Sequence, residues 1–199
     1  MQEMKENPAK PEGEIGSAML DRMNRSHAPL RNWAFPHIQW QPDMQILDVG
    51  CGGGAAISEM LTLSENSHIC GIDYSEVSVA SAKAFNSEVS AERLEILQAD
   101  IISLPFDDNR FELVTAVETV YFWPEIEKAF REIYRVLKPY GEIAILNEGS
   151  DPETSNWKVD GFLKVYRPEE LTSLLKSAGF QGTRYYRGEG EYIFVTARK

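Results

Sequence analysis

From Gln45 onward, short apolar runs alternate with segments whose apolar residues recur at helical spacing, the pattern of crossover units that build a mostly parallel sheet. Ile46 to Val49, Ile69 to Ile72, Leu94 to Leu97, Phe111 to Val117 and Glu142 to Leu146 read as five parallel strands. Each is short and apolar, as a sheet covered on both faces requires. Ser75 is placed to cap the helix that follows the second strand. Pro124 occupies a first-turn position ahead of Ile126, Ala129, Phe130, Ile133, Val136 and Leu137, and Pro139-Tyr140-Gly141 closes that helix. Pro168, Glu169 and Glu170 open another, with Leu171, Leu174, Leu175 and Ala178 as its apolar face and Gly179 at its end. The last runs, Thr183 to Arg187 and Tyr192 to Ala197, flank Gly188 to Glu191 and predict an antiparallel hairpin.

Two segments fall outside this alternation. Residues 15 to 43 carry helical spacing at Ile15, Met19 and Met23 and again at Leu30, Trp33 and Ala34, and residues 147 to 166 lie outside the strand–helix pattern. Their aromatic and Met content predicts a lid and pocket wall, with Trp33, Trp157, Phe162 and Tyr166 as the lining. Residues 1 to 14, polar and broken by Pro8, Pro11 and Gly13, read as a frayed tail, which leaves 15 to 199 as one domain.

Charge narrows the partners. With 20 basic against 31 acidic residues, the chain carries a formal charge of −11, which repels nucleic acid and anionic membrane surfaces. A small-molecule substrate is expected, with the chain a monomer or homodimer. Cys51 and Cys70 belong to no Cys-x-x-Cys pair or metal-spaced cluster, so no metal is expected, and the usage fits a reducing, cytoplasmic setting.

The informative motif is Ile46-Leu47-Asp48-Val49-Gly50-Cys51-Gly52-Gly53-Gly54, a strand entering a glycine loop that opens a helix. Such a loop lets a ligand approach the backbone, and Gly50, Gly52 and Ala55 also satisfy the dinucleotide fingerprint. Asp48 separates the two readings. A carboxylate at the strand end opposes a pyrophosphate and favours a cationic nucleoside such as S-adenosylmethionine, which has an ammonium, a sulfonium and no phosphate.

On these residues, and on Gly71-Ile72-Asp73-Tyr74-Ser75, Gln98-Ala99-Asp100-Ile101, Leu104-Pro105-Phe106 and the run from Phe130 to Glu142, the chain resembles the class I S-adenosylmethionine-dependent methyltransferases over residues 44 to 148. The resemblance is to the small-molecule branch that includes ubiquinone and menaquinone biosynthesis enzymes. It implies a doubly wound, Rossmann-like sheet of seven strands, mostly parallel with an antiparallel C-terminal hairpin, and S-adenosylmethionine as cofactor. It also implies that Asp73 holds the ribose hydroxyls, Asp100 the adenine amino group and Ile101 the ring, beside a loop of Gly50, Cys51 and Gly52. Tyr74 either stacks on the adenine or covers the next helix.

Glu118 to Trp123 occupies the carboxyl edge after the fourth strand, where donor and acceptor should meet. It lacks the Asn or Asp, two prolines and aromatic of the amide- and adenine-methylating members. Glu118 is therefore a candidate contact to the donor and, with His27 and His37, a candidate base; in-line transfer from a sulfonium needs position more than a base. A nicotinamide-linked oxidoreductase and a non-catalytic donor-binding protein are the alternatives.

Overall fold

The computed structural model describes residues 7–154 and 163–199. Seven strands form one sheet: β1 (Gln45–Val49), β2 (His68–Asp73), β3 (Leu94–Gln98), β4 (Phe111–Val117), β5 (Leu137–Asn147), β6 (Gln181–Arg187) and β7 (Ile193–Arg198). Their order is β3-β2-β1-β4-β5-β7-β6. The first five pair in parallel, whereas β7 runs antiparallel between β5 and β6. The parallel core and the antiparallel ending agree with the sequence reading.

Alternation along each strand divides the core. Leu47, Val49, Cys70, Ile72 and Val114 pack on one face against α5 (Ile126–Val136) and α6 (Pro168–Ser177). Ile46, Ile69 and Leu113 face the opposite way, onto α2 (Ala28–Ala34), α3 (Ala55–Leu63) and α4 (Glu76–Phe85). Both faces are thereby buried, which is why the strands read as short apolar runs. The strand order reverses direction between β1 and β4, and in an open α/β sheet the ligand crevice lies beyond the carboxyl ends at that point.

Local signals hold at several helix ends. The Ser75 hydroxyl accepts the Ser78 amide at 3.2 Å and caps α4. Glu170 Oε2 accepts the Arg167 amide at 2.8 Å at the start of α6, with Pro168 in its first turn, and Gly179 follows with φ +104°.

Some expectations fail in detail. Pro124 sits outside α5, whose N-cap is Glu125. Leu137 already pairs with Phe111 in β5, and the ladder then shifts register before Leu113 meets Glu142, so Pro139-Tyr140-Gly141 makes a bulge inside a strand. Proline's missing N–H and the positive φ of Tyr140 (67°) suit a bulge, which leaves residues unpaired. The expected frayed tail is held from residue 7 onward. Pro11's carbonyl accepts the Ser75 hydroxyl at 2.6 Å, and residue 13 already begins α1 (Gly13–Ser26).

Candidate active site

A cavity of about 420 Å³ opens at the switch point. Asp48, Gly50, Cys51, Gly52, Asp73, Tyr74, Asp100, Ile101 and Glu118, the donor-contact set drawn from the sequence, all lie on its wall, together with His27. His37 does not line it. Its ring stacks on Tyr186 (4.7 Å) and Phe194 (5.5 Å), as part of the packing between the N-terminal region and the C-terminal hairpin.

Backbone contacts shape the loop after β1. The amides of Gly50 and Cys51 both donate to the Ile72 carbonyl, at 2.8 and 2.9 Å, and tie the loop to the end of β2. Gly50 has φ +70°, and a Cβ there would lie 2.1 Å from Thr119 Oγ1. Glycine is thus demanded both by backbone region and by the chain arriving from β4. Asn24 of α1 donates to the Gly53 carbonyl at 3.1 Å, and its own carbonyl accepts Arg31 Nη2 at 3.0 Å. Arg31 also pairs with Glu59 Oε1 at 2.8 Å, so α1, α2 and α3 clamp the loop together.

Asp73, at the end of β2, accepts the Gly52 amide on Oδ2 (3.0 Å) and the Ser75 amide on Oδ1 (2.9 Å). Its carboxylate is therefore fixed in orientation. Burial raises its pKa, while these amides oppose the rise.

Asp48 is 1% exposed. The β1–β4 register sets it opposite Thr115, whose hydroxyl donates to Oδ1 at 2.7 Å. Oδ2 is buried and has no partner among the described residues. Burial pushes the carboxyl up to about 6, with the Thr115 hydrogen bond and the charge of Arg31 pulling the other way and Asp73 reinforcing the rise. Burial likewise drives the Cys51 thiol well upward, which makes it an inert packing group of the loop.

Beyond β4, Glu118 adopts φ +57° and is almost fully buried. Its Oε1 accepts the Tyr121 hydroxyl (3.1 Å) and the Glu148 amide. Burial, then the neighbouring Glu148, pushes its carboxyl up to about 8. His27 Nε2 stands 4.0 Å from Glu118 Oε2, and burial together with Arg31 lowers the imidazole to about 4.

The expected aromatic wall is differently composed. Trp33 packs on Gly188, His37 and Tyr192, away from the cavity, and Tyr166 is in the core beside α6. Trp157 and Phe162 lie outside the described residues. Met23, Phe122, Trp123 and Pro124 are part of the apolar lining, and Pro8 to Pro11 also lie on the wall, with Lys10 Nζ 5.7 Å above the Tyr74 ring. Sequence reasoning missed Asn24, Arg31 and Thr115, whose partners are 29, 28 and 67 positions away.

The donor set fits a cationic nucleoside. Asp48, Asp73, Asp100 and Glu118 face the cavity against Lys10 and Arg31. That balance opposes a pyrophosphate, and the unpartnered Asp48 oxygen gains from a nearby cation.

Comparison with known proteins supplies the lineage. Residues 47–145 match the family described as "Methyltransferase domain". A demethylmenaquinone methyltransferase of Listeria monocytogenes is 30% identical over 164 residues, spanning 79% of this chain and 69% of that protein. A sterol 24-C-methyltransferase of Gibberella zeae is 28% identical over 174 residues, 81% of this chain, and the chain matches 46% of its length. The chain thus spans under half of that sterol enzyme. A SAM-dependent methyltransferase of Aquifex aeolicus shares the fold, with a TM-score of 0.79 at 23% identity over 98% of this chain and 99% of the other. The glycine loop with its buried acid, the amide-held Asp73 at the end of β2 and these relationships place the chain in the S-adenosylmethionine-dependent methyltransferase family.

Proposed function

We propose that this chain transfers the methyl group of S-adenosylmethionine, in line, to an uncharged, lipophilic small molecule. The observation that carries the reading is the pair of acids around the glycine loop, Asp73 fixed by two backbone amides and Asp48 buried with an oxygen to spare. Asp73 holds the ribose hydroxyls, while Asp100, Ile101 and Tyr74 receive the adenine. Gly50, Cys51 and Gly52 let the amino-acid end approach the backbone, with Asp48 and Glu118 supplying negative potential and Arg31 positive charge for a carboxylate. When bound, S-adenosylmethionine supplies an activated methyl group whose leaving group is a neutral thioether.

The protein's own contribution is position and dryness. Met23, Phe122, Trp123 and Pro124 on the cavity wall exclude water and favour an apolar acceptor. The quinone- and sterol-directed names of the relatives support that choice. Residues 8 to 11 and the α1–α2 segment, whose Met23, Asn24, His27 and Arg31 line the cavity, serve as the cover within one domain, whereas residues 155–162 of the second expected cover lie outside the described residues. Free Cys51 and Cys70 support a cytoplasmic setting, and the net charge of −11 supports small molecules over nucleic acid. Among the described residues no helix is long and apolar enough to cross a membrane. The chain acts as a monomer or homodimer.

The test is a panel of acceptors with methyl-labelled S-adenosylmethionine. Label should enter lipophilic phenols, enols or alkenes and not anionic sugars or oligonucleotides. Tight donor binding with no labelled product across the panel would favour a binding protein without transfer.

A further inference from the structure

The sequence offers no metal-spaced motif, yet the fold gathers His27, Glu118 and Glu148 so that one ligand atom of each lies within 4.8 Å of the other two. They come from the junction of α1 and α2, the residue after β4 and the residue after β5. We propose that these side chains form a binding site for one divalent cation of mixed nitrogen and oxygen preference, such as Mn²⁺, Co²⁺ or Zn²⁺. This goes beyond the methyl-transfer reading and does not depend on it.

His27 supplies an observation independent of the two acids. It is 8% exposed, and its ring makes no hydrogen bond among the described residues. Its Nε2 points at Glu118 Oε2 across 4.0 Å, too far for a hydrogen bond. Two ligand bonds of about 2.1 Å each set their donor atoms about 3.0–3.4 Å apart at octahedral or tetrahedral angles, so an ion would draw the two side chains together by under about 1 Å. The neutral ring therefore has a nitrogen lone pair available to an ion at the cavity wall.

The surroundings orient the donors as an outer shell does. Glu118 Oε1 is committed to the Tyr121 hydroxyl and to the Glu148 amide, which leaves Oε2 directed at His27. Tyr121 is itself fixed, because its oxygen accepts the Gly149 amide at 2.8 Å. Ligating carboxylates are commonly held in this way. A cation between Glu118 and Glu148 would also offset the cost of burying one carboxylate beside another. Three protein ligands leave coordination positions open, and both His27 and Glu118 line the cleft.

The experiment titrates Co²⁺ into the metal-stripped full chain, followed by calorimetry and visible absorption, with binding of S-adenosylhomocysteine measured on the same samples. One saturable site with d–d bands and no thiolate band is expected. His27→Gln, which keeps much of the volume, and Glu148→Gln should each weaken it at least 10-fold, and Tyr121→Phe should weaken it with both carboxylates intact. Retained S-adenosylhomocysteine binding certifies the fold of each variant. Absence of saturable binding, or binding indifferent to His27→Gln and Glu148→Gln, overturns the proposal. So does a thiolate-to-metal band, which would place the ion at a cysteine instead. Either failure leaves the donor-binding reading standing on its own measurement.

Discussion

Replacing Asp48 by Asn exposes the cost that this fold accepts at its ligand crevice. Burial moves the carboxyl from 3.8 to about 6 on folding. At about 1.4 kcal/mol per pH unit, holding the ionised form in the native state costs about 3 kcal/mol at neutral pH. The sign follows from proton counts. Between 3.8 and 6 the native state keeps a proton that the unfolded chain has released, so stability falls as pH rises through that window and stays low above it. The neutral amide of the Asp48→Asn variant carries no such penalty, although its nitrogen inherits the place of an oxygen that already lacks a partner, at about 1 kcal/mol. The variant should therefore be more stable than the native chain by about 2 kcal/mol at pH 7.5, or about 4–8 °C in Tm for a chain of this size. Urea unfolding from pH 5 to pH 8 reads the difference, which should grow towards pH 7 and then level off. Calorimetry should show the opposite for function, with S-adenosylhomocysteine bound about 10-fold more weakly and the native chain's gain in affinity above pH 6 abolished. A variant of equal or lower stability, with no pH dependence in the difference, would refute the claim that Asp48 is a desolvated charge kept for a cation.

Other substitutions probe the remaining supports. Gly50→Ala should lose donor binding and at least about 1–2 kcal/mol of stability, from its positive φ and the Thr119 contact; adding Thr119→Gly should restore only the steric share, read as coupling in a double-mutant cycle. Asp73→Asn should weaken donor binding about 10- to 100-fold, or about 1.4–2.8 kcal/mol, and cost about 1–3 kcal/mol of stability, since only one of the amides of Gly52 and Ser75 keeps an acceptor oxygen. Ser75→Ala removes both the α4 cap and the anchor of Pro11, so it should cost about 1 kcal/mol and speed proteolytic cleavage near residues 7–12.

Legibility tracks locality. The strands, the glycine loop, Asp48 and Asp73 are readable because their signals lie within a few residues: apolar runs, a Gly cluster, an acid at a strand end. The Ser75 cap is readable for the same reason. Thr115 is not, because its role exists only once β4 pairs with β1 and sets it against Asp48. Arg31 and Asn24 are hidden likewise, since a polar residue on an amphipathic helix looks solvated until its partner, Glu59 or the Gly53 carbonyl, is known. His27 and Glu118 stand out as candidates in the sequence, but Glu148 does not, and the convergence of the three joins separate elements. Trp33 reads as a pocket residue on its aromatic character alone, which marks burial and not where burial occurs; it braces the C-terminal hairpin instead. The tail from residue 7 reads as frayed because Pro and Gly suppress regular structure, yet Pro11 still docks by its carbonyl.

Calorimetry of the purified chain against S-adenosylhomocysteine and, separately, against nicotinamide dinucleotide tests the acid-lined crevice most directly. Saturable uptake of the former, tightening above pH 6, with no heat from the latter is the expected result. Binding of the dinucleotide alone would contradict the account.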